Sequence, residues 1–471
     1  MQSTPNFAAP SVRTVIQPLL DRKDYHNALI ALRPLVSEEA PDPEVLDLVA
    51  DCYFGLDQPT TGIQVLEAIV STWPDNKAAL GKLGARHLQI GSKERAAEAL
   101  RSYLAMDPDS VTALATLHLA APFGAESPYA RHLRSLLETP LLTEAEKATA
   151  NNTLGRIAAK AGSPKEAIGY FEQSKSWLNG TYVPEIEEQE ISDQISRYLP
   201  KNLLSVQQTD QYPVPVFLTG LPRSGTTLLE NMLIQHPRAT TIGESKGLLR
   251  SMNAVRQPVQ QPEIPFDKWR WCDEVSQELA HAGRRCYLDH FPANYDNCAK
   301  VCIDKLPQNH FEFGFAHLIL PESRFIFMMR HPLDVGLSLL SNNFSGGHSY
   351  SKRQEWIGHR IRCAYTSVDD YAQKLPGRIR FQSYRKLVDQ PEKQLRAILT
   401  HLDLDWDPAC LFPEDGERLI QTASINQIRK GLSRSGLDKW RPYERELAPL
   451  IEALGGWDWI NDWQTRDAET A

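Results

Sequence analysis

The chain has 471 residues, enough for two or three domains that each bury a core. Its formal net charge of −8 argues against general nucleic-acid binding, which usually wants a basic face, so cations for any anionic ligand must be gathered locally. The seven cysteines (Cys52, Cys272, Cys286, Cys298, Cys302, Cys363, Cys410) are odd in number and sparse, which argues against a disulfide framework and for a reducing compartment.

In the first 175 residues, Ala28, Gly62 and Ala96 recur at an interval of 34, as do Leu32, Leu66 and Leu100. Ala50 and Gly84, and Pro74 and Pro108, keep the same interval. A 34-residue period with small residues where paired helices touch predicts tetratricopeptide repeats stacked as an all-α solenoid over residues 13–178. Leu154-Gly155, Gly162, Ala167 and Phe171 form a further unit, out of strict phase after the looser stretch 121–148. Such an array presents a concave face to a polypeptide, or serves equally as a stabilising or homodimerising platform.

The segment 179–184 breaks the helical pattern, and an acidic helix follows from near Glu185 with Ile191 and Ile195 on one face. An apolar run (Val214, Val216, Phe217, Leu218) then leads into Gly220-Leu-Pro-Arg223-Ser224-Gly225-Thr226-Thr227 and a helical pattern (Leu228, Leu229, Met232, Leu233). This is the strand–loop–helix context in which backbone N–H groups and a helix N-terminus collect an anion. Thr226 stands where a nucleotide triphosphatase would have its lysine, and Arg223 supplies the cation instead. Residues 252–266, with Pro258, Pro262 and Pro265, read as a surface loop or lid, and 341–354 reads similarly. His348 in the latter is expected to face solvent and is left outside the site. Cys298 and Cys302 are four apart without a second Cys/His pair at zinc-site spacing, so both read as structural. Farther on, Arg324-Phe-Ile-Phe-Met-Met runs into Arg330, Pro332 starts a helix, and Ser338 falls two turns into it, an arrangement suited to a second phosphate.

These two segments resemble those of sulfotransferases that use 3′-phosphoadenosine 5′-phosphosulfate (PAPS), and over about residues 185–455 the resemblance is to the tyrosylprotein sulfotransferase branch. Further matching segments are Ile242-Gly243-Glu244-Ser245, Asp304-Lys305-Leu306-Pro307, Ser383-Tyr384-Arg385-Lys386-Leu387, Thr422-Ala423-Ser424-Ile425-Asn426-Gln427 and Lys439-Trp440. The resemblance implies a P-loop-like parallel-sheet domain over 185–457. It assigns the 5′-phosphosulfate to Arg223, Ser224, Gly225, Thr226 and Thr227, and the 3′-phosphate to Arg330 and Ser338. Tyr384 and Lys439 would hold the rest of the nucleotide. Asn342 stands where tyrosine-sulfating members often carry another basic residue, so one phosphate contact is weaker here or supplied elsewhere.

Sulfuryl transfer needs a deprotonated hydroxyl, in-line geometry and stabilisation of the leaving phosphate. Glu244 is the candidate base, ionised beside Arg223; Lys305 and Arg223 would neutralise the bridging oxygen, with Ser424 a neutral donor. No carboxylate pair suggests a metal site, so the expectation is a metal-free reaction. No apolar run approaches the ~18 residues needed to cross a bilayer, and with the cysteine pattern this implies a cytoplasmic enzyme without a membrane span. The expected acceptor is a hydroxyl, foremost a protein or peptide tyrosine, with a small-molecule or carbohydrate hydroxyl as alternative. Two other readings are a phosphate-transferring P-loop enzyme, against which the missing loop lysine counts, and a repeat scaffold with a nucleotide-binding but inactive C-terminal domain, against which Glu244 and Lys305 count.

Overall fold

The computed structural model describes residues 12–36, 42–203, 206, 212–259, 269–291, 298–344, 346–412 and 434–470. Two compact units divide between Ser163 and Pro164.

The first unit is helical, and its 34-residue period is visible in the backbone. Helices Val12–Asp21, Pro43–Gly55 and Lys77–Gln89 are followed by Tyr25–Leu32, Pro59–Thr72 and Lys93–Met106. Each first helix ends in the same way: Lys23, Asp57 and Gly91 take left-handed backbone conformations. The following amides, of Asp24, Gln58 and Ser92, donate back to Leu19, Tyr53 and His87. This is a Schellman closure, which satisfies carbonyls the helix leaves open. The N-caps Asp42, Asn76 and Ser110 recur at the same interval, each accepting a backbone N–H in the first turn of the next helix. Small residues mark the helix contacts: a Cβ on Gly62 would come within 2.8 Å of the Phe54 ring, and one on Gly84 within 2.6 Å of Leu100 Cγ. Beyond Val111–Ala120 the period loosens into Pro128–Leu137 and Glu144–Lys160, the latter opened by a Thr143/Glu146 capping box. Its end repeats the closure, with Ser163 N–H donating to Ala158.

Helix Pro164–Ser176, which the repeat reading includes, belongs to the second unit. The sheet there is wholly parallel: β1 (Val214–Gly220), β2 (Ala239–Gly243), β3 (Val301–Asp304), β4 (Arg324–Met329) and β5 (Ile379–Ser383), ordered β2-β3-β1-β4-β5. Val216, Leu218, Ile303 and Ile326 pack one face against Leu229, Met232 and Leu233 of helix Thr226–Leu233 and Leu395 and Ile398 of helix Pro391–His401. Phe217 stacks on Phe325 on the other face, with Phe313 beside it. β1 is flanked by β3 and β4, so the carboxyl ends of these three strands define a topological switch point, where parallel sheets open a crevice.

Three expectations are corrected. Residues 252–259 are not loop: they complete helix Gly247–Val259, burying Met252, Val255 and Val259, while 260–266 lie outside the described residues. Within 341–354, Ser349–Lys352 forms a 3₁₀ turn that buries Tyr350 and Ser351. Helix Pro184–Arg197 packs on helix Gln354–Lys374 through Glu187, Ile191 and Gln194, not Ile195, which is exposed; polar contacts to Arg360 and Ser367 outcompete the apolar face. All seven cysteines are free. No helix among the described residues is long and apolar enough to cross a membrane.

Candidate functional site

The loop after β1 is shaped by its glycines. Gly220 and Gly225 both have positive φ. A Cβ at Gly220 would meet the Met328 carbonyl at 2.9 Å, and one at Gly225 would meet the Tyr384 ring at 2.4 Å. Gly225 is therefore required twice, by conformation and by close approach. It caps helix Thr226–Leu233 without any side-chain cap, so the first-turn amides remain available to an anion. Ser224 is buried, and its Oγ has no hydrogen-bond partner among the described residues.

The second segment closes on the same loop. Arg223 Nε donates to Ser338 Oγ at 3.0 Å, and Arg330 Nη1 donates to the Arg223 carbonyl at 2.6 Å. Arg330 Nη2 donates to the Gly436 carbonyl, its guanidinium lies 4.8 Å from the Tyr384 ring centroid, and its buried Nε has no partner among the described residues. Arg223, Ser224, Gly225, Arg330, Ser338 and Tyr384 are thus brought together, with Thr226 and Thr227 opening the helix. Lys439 is exposed, in a segment pinned by Asp334, whose carboxylate accepts the N–H groups of Asp438 and Trp440 at 2.9 and 3.1 Å. Burial raises the Asp334 pKa, while Arg330 opposes it. Trp440 stacks on His331 with ring centroids 4.9 Å apart. Ser424 lies outside the described residues.

Arg223 Nε donates to Ser338 Oγ, and Glu244 Oε1 lies 2.5 Å from Lys305 Nζ. The physical reason is β-pairing: β2 runs alongside β3, Lys305 N–H donates to the Gly243 carbonyl, and the two side chains leave adjacent strand ends. Lys305 is buried whereas the Glu244 side chain is 47% exposed, open to an incoming group. A third member was missed by sequence reasoning: Glu230, on the helix that follows the loop, reaches Lys305 at 3.7 Å and accepts from Thr241 Oγ1 at 2.7 Å. Burial raises its pKa, and Lys305 opposes the rise. Its signal was a lone glutamate inside an apolar helix pattern.

Beside Glu244 lies a cavity of about 310 Å³ lined by Leu249, Met252, Phe311, Glu190, Glu312 and Arg360, among others. Arg360 is held by Glu187 at 2.5 Å and lies over Phe311. His348, expected to face solvent, is half-buried against Phe344 and hydrogen-bonded to Tyr350; burial, then Arg360 and Lys175, depress its pKa.

Residues 215–408 match the Sulfotransferase family. An uncharacterized protein of Aquifex aeolicus is 27% identical over 78% of this chain and 48% of its own length, so the chain spans about half of that relative. Protein-tyrosine sulfotransferase 1 of Danio rerio is 27% identical over 51% of this chain and 71% of its own length. Among solved structures, the sulfotransferase domain from the Synechococcus PCC 7002 olefin synthase is similar to 54% of this chain and 98% of its own, at 20% identity and a TM-score of 0.35. The phosphate-type loop, Arg223, Arg330 and the Glu244–Lys305 pair all lie within the segment that matches the Sulfotransferase family.

Proposed function

We propose that this chain transfers the sulfuryl group of PAPS to a hydroxyl acceptor, foremost a tyrosine phenol on a protein or peptide. The observation that carries this reading is the Glu244–Lys305 pair, a carboxylate half open to solvent on a buried ammonium, beside a cavity and tied through Glu230 to the helix that opens at the phosphate loop. The donor fits the residues present: Ser224 Oγ and Arg330 Nε are buried polar atoms without partners among the described residues, and the N-terminus of helix Thr226–Leu233 has no side-chain cap. Residues 223–227 would hold the 5′ end of PAPS, Arg330 and Ser338 its 3′-phosphate, and Tyr384 and Lys439 the nucleoside side. PAPS supplies an activated sulfuryl group with a phosphate leaving group.

Glu244 takes the acceptor proton as the acceptor oxygen bonds to sulfur, and Lys305 offsets charge on the oxygen left on phosphate. Ser424 is proposed as a further donor to that phosphate. The similarity to protein-tyrosine sulfotransferases favours a phenol. A second reading, transfer to a small-molecule or carbohydrate hydroxyl, is favoured by the cavity, whose size suits a single ring and whose walls include Glu190 and Glu312. Sulfate transfer from labelled PAPS to a panel of phenols, peptides, sugars and lipids tests both; no transfer to any hydroxyl, with ATP and magnesium required for binding, rejects the sulfotransferase reading.

A further inference from the structure

Lys175, near the end of helix Pro164–Ser176, has no solvent exposure. Its Nζ donates to the Asn342 carbonyl at 2.5 Å and to Ser351 Oγ at 3.0 Å, and lies 5.4 Å from the Phe344 ring centroid. These partners are all neutral, and among the described residues no carboxylate pairs with this ammonium. A buried ammonium without a counter-charge is costly, and burial brings its pKa down to about 7. Methionine, of similar length, would fill the space without that cost, so packing alone gives no reason for a lysine here.

The contacts lead toward the donor site. Asn342 Nδ2 donates to the Ser338 carbonyl at 2.7 Å, and Ser338 Oγ accepts from Arg223 Nε. Ser174, the neighbour of Lys175, is hydrogen-bonded to the Asn343 side chain. The end of one helix therefore clamps the segment just after Ser338, and Lys175 sits at the far end of a relay whose other end is the phosphate-loop arginine.

We propose that Lys175 is a positioning residue of the donor site, which fixes the Asn342 segment behind Ser338 and holds a buried positive charge that a 3′-phosphorylated nucleotide neutralises. The proposal rests on the PAPS reading of that site. It accounts for a lysine that no anion among the described residues answers: the ligand brings the anion, and the ammonium lies behind the serine that faces it. It also places a residue outside the matched segment 215–408 in the service of that segment's ligand.

The test compares binding of 3′-phosphoadenosine 5′-phosphate and of AMP, by calorimetry, to the full-length wild type, Lys175→Met and Lys175→Gln, together with the melting temperature of each protein without nucleotide. The expected result is a loss on the order of tenfold for the bisphosphate in both variants, less than threefold for AMP, and a melting temperature equal to or above wild type. Unchanged bisphosphate affinity, or equal losses for both nucleotides with a lower melting temperature, overturns the proposal by reducing Lys175 to a packing role. Recovery of the bisphosphate preference in Lys175→Gln, which keeps a donor but no charge, overturns the charge assignment. If the wild type itself does not prefer the bisphosphate to AMP, the PAPS reading fails, and the proposal with it.

Discussion

Glu230 reaches Lys305 from the helix that opens at the phosphate loop, 3.7 Å between Oε2 and Nζ, while the more exposed Glu244 carboxylate lies 2.5 Å from the same Nζ. The ammonium is thereby held between one buried carboxylate and one that faces the cavity. Glu230→Gln removes the inner anchor and keeps the acceptor for Thr241 Oγ1. The expected outcome is a fall in kcat of roughly tenfold with bisphosphate affinity within threefold of wild type, read from steady-state kinetics and calorimetry.

Glu244→Gln is expected to lower kcat by about 10²–10⁴ while leaving nucleotide binding almost intact, because only proton removal is lost. Lys305→Ala is expected to lower kcat by roughly 10²–10³, since charge on the leaving oxygen grows in the transition state. Near-normal turnover of the Glu244 variant would move the base elsewhere.

Arg330→Ala removes a guanidinium that carries donors to Arg223 and Gly436 and lies over Tyr384. Preference for the 3′,5′-bisphosphate over AMP should disappear, with a cost of about 2–5 kcal/mol in bisphosphate binding. Gly225→Ala should abolish binding of both nucleotides, because its Cβ collides with the Tyr384 ring at a left-handed position. Calorimetry on the two variants distinguishes loss of one phosphate from loss of the whole cradle.

Asp304, buried at the end of β3 where Tyr287 and Asn309 donate to it, has its pKa pushed up by burial from 3.8 to about 8. The folded state therefore holds this proton more tightly than the unfolded chain. Its contribution to stability is present in full below about pH 4 and is lost as pH rises through about 8. In Asp304→Asn, melting temperature should fall less steeply than in wild type between pH 5 and 8; parallel curves would refute a protonated Asp304.

The helical unit offers an independent test. Gly84→Val drives a side chain into Leu100, and overpacking of this kind costs about 1–3 kcal/mol. The loss should appear in thermal unfolding and leave bisphosphate affinity unchanged. A chain beginning at Pro164 should likewise keep nucleotide affinity and turnover of a small phenol. If the repeats deliver the acceptor, it should lose kcat/KM only on a polypeptide; equal losses on both acceptors would mark the repeats as a platform.

The sequence by itself determined what depends on near neighbours. The 34-residue period was legible because helix pairs close through local turns and caps, repeated at Lys23, Asp57 and Gly91 and at Asp42, Asn76 and Ser110. The strand–loop–helix at 214–233 was legible for the same reason, its glycines being demanded by backbone geometry within a few residues. Which charges meet was decided by the tertiary structure. Strand order set Glu244 against Lys305, brought Arg223 to Ser338, and let Asp334 pin the segment around Lys439. Lys175 meets Asn342 across 167 residues of chain, and no spacing in the sequence encodes that encounter. Charges choose partners by distance and burial, and both exist only once the sheet is assembled.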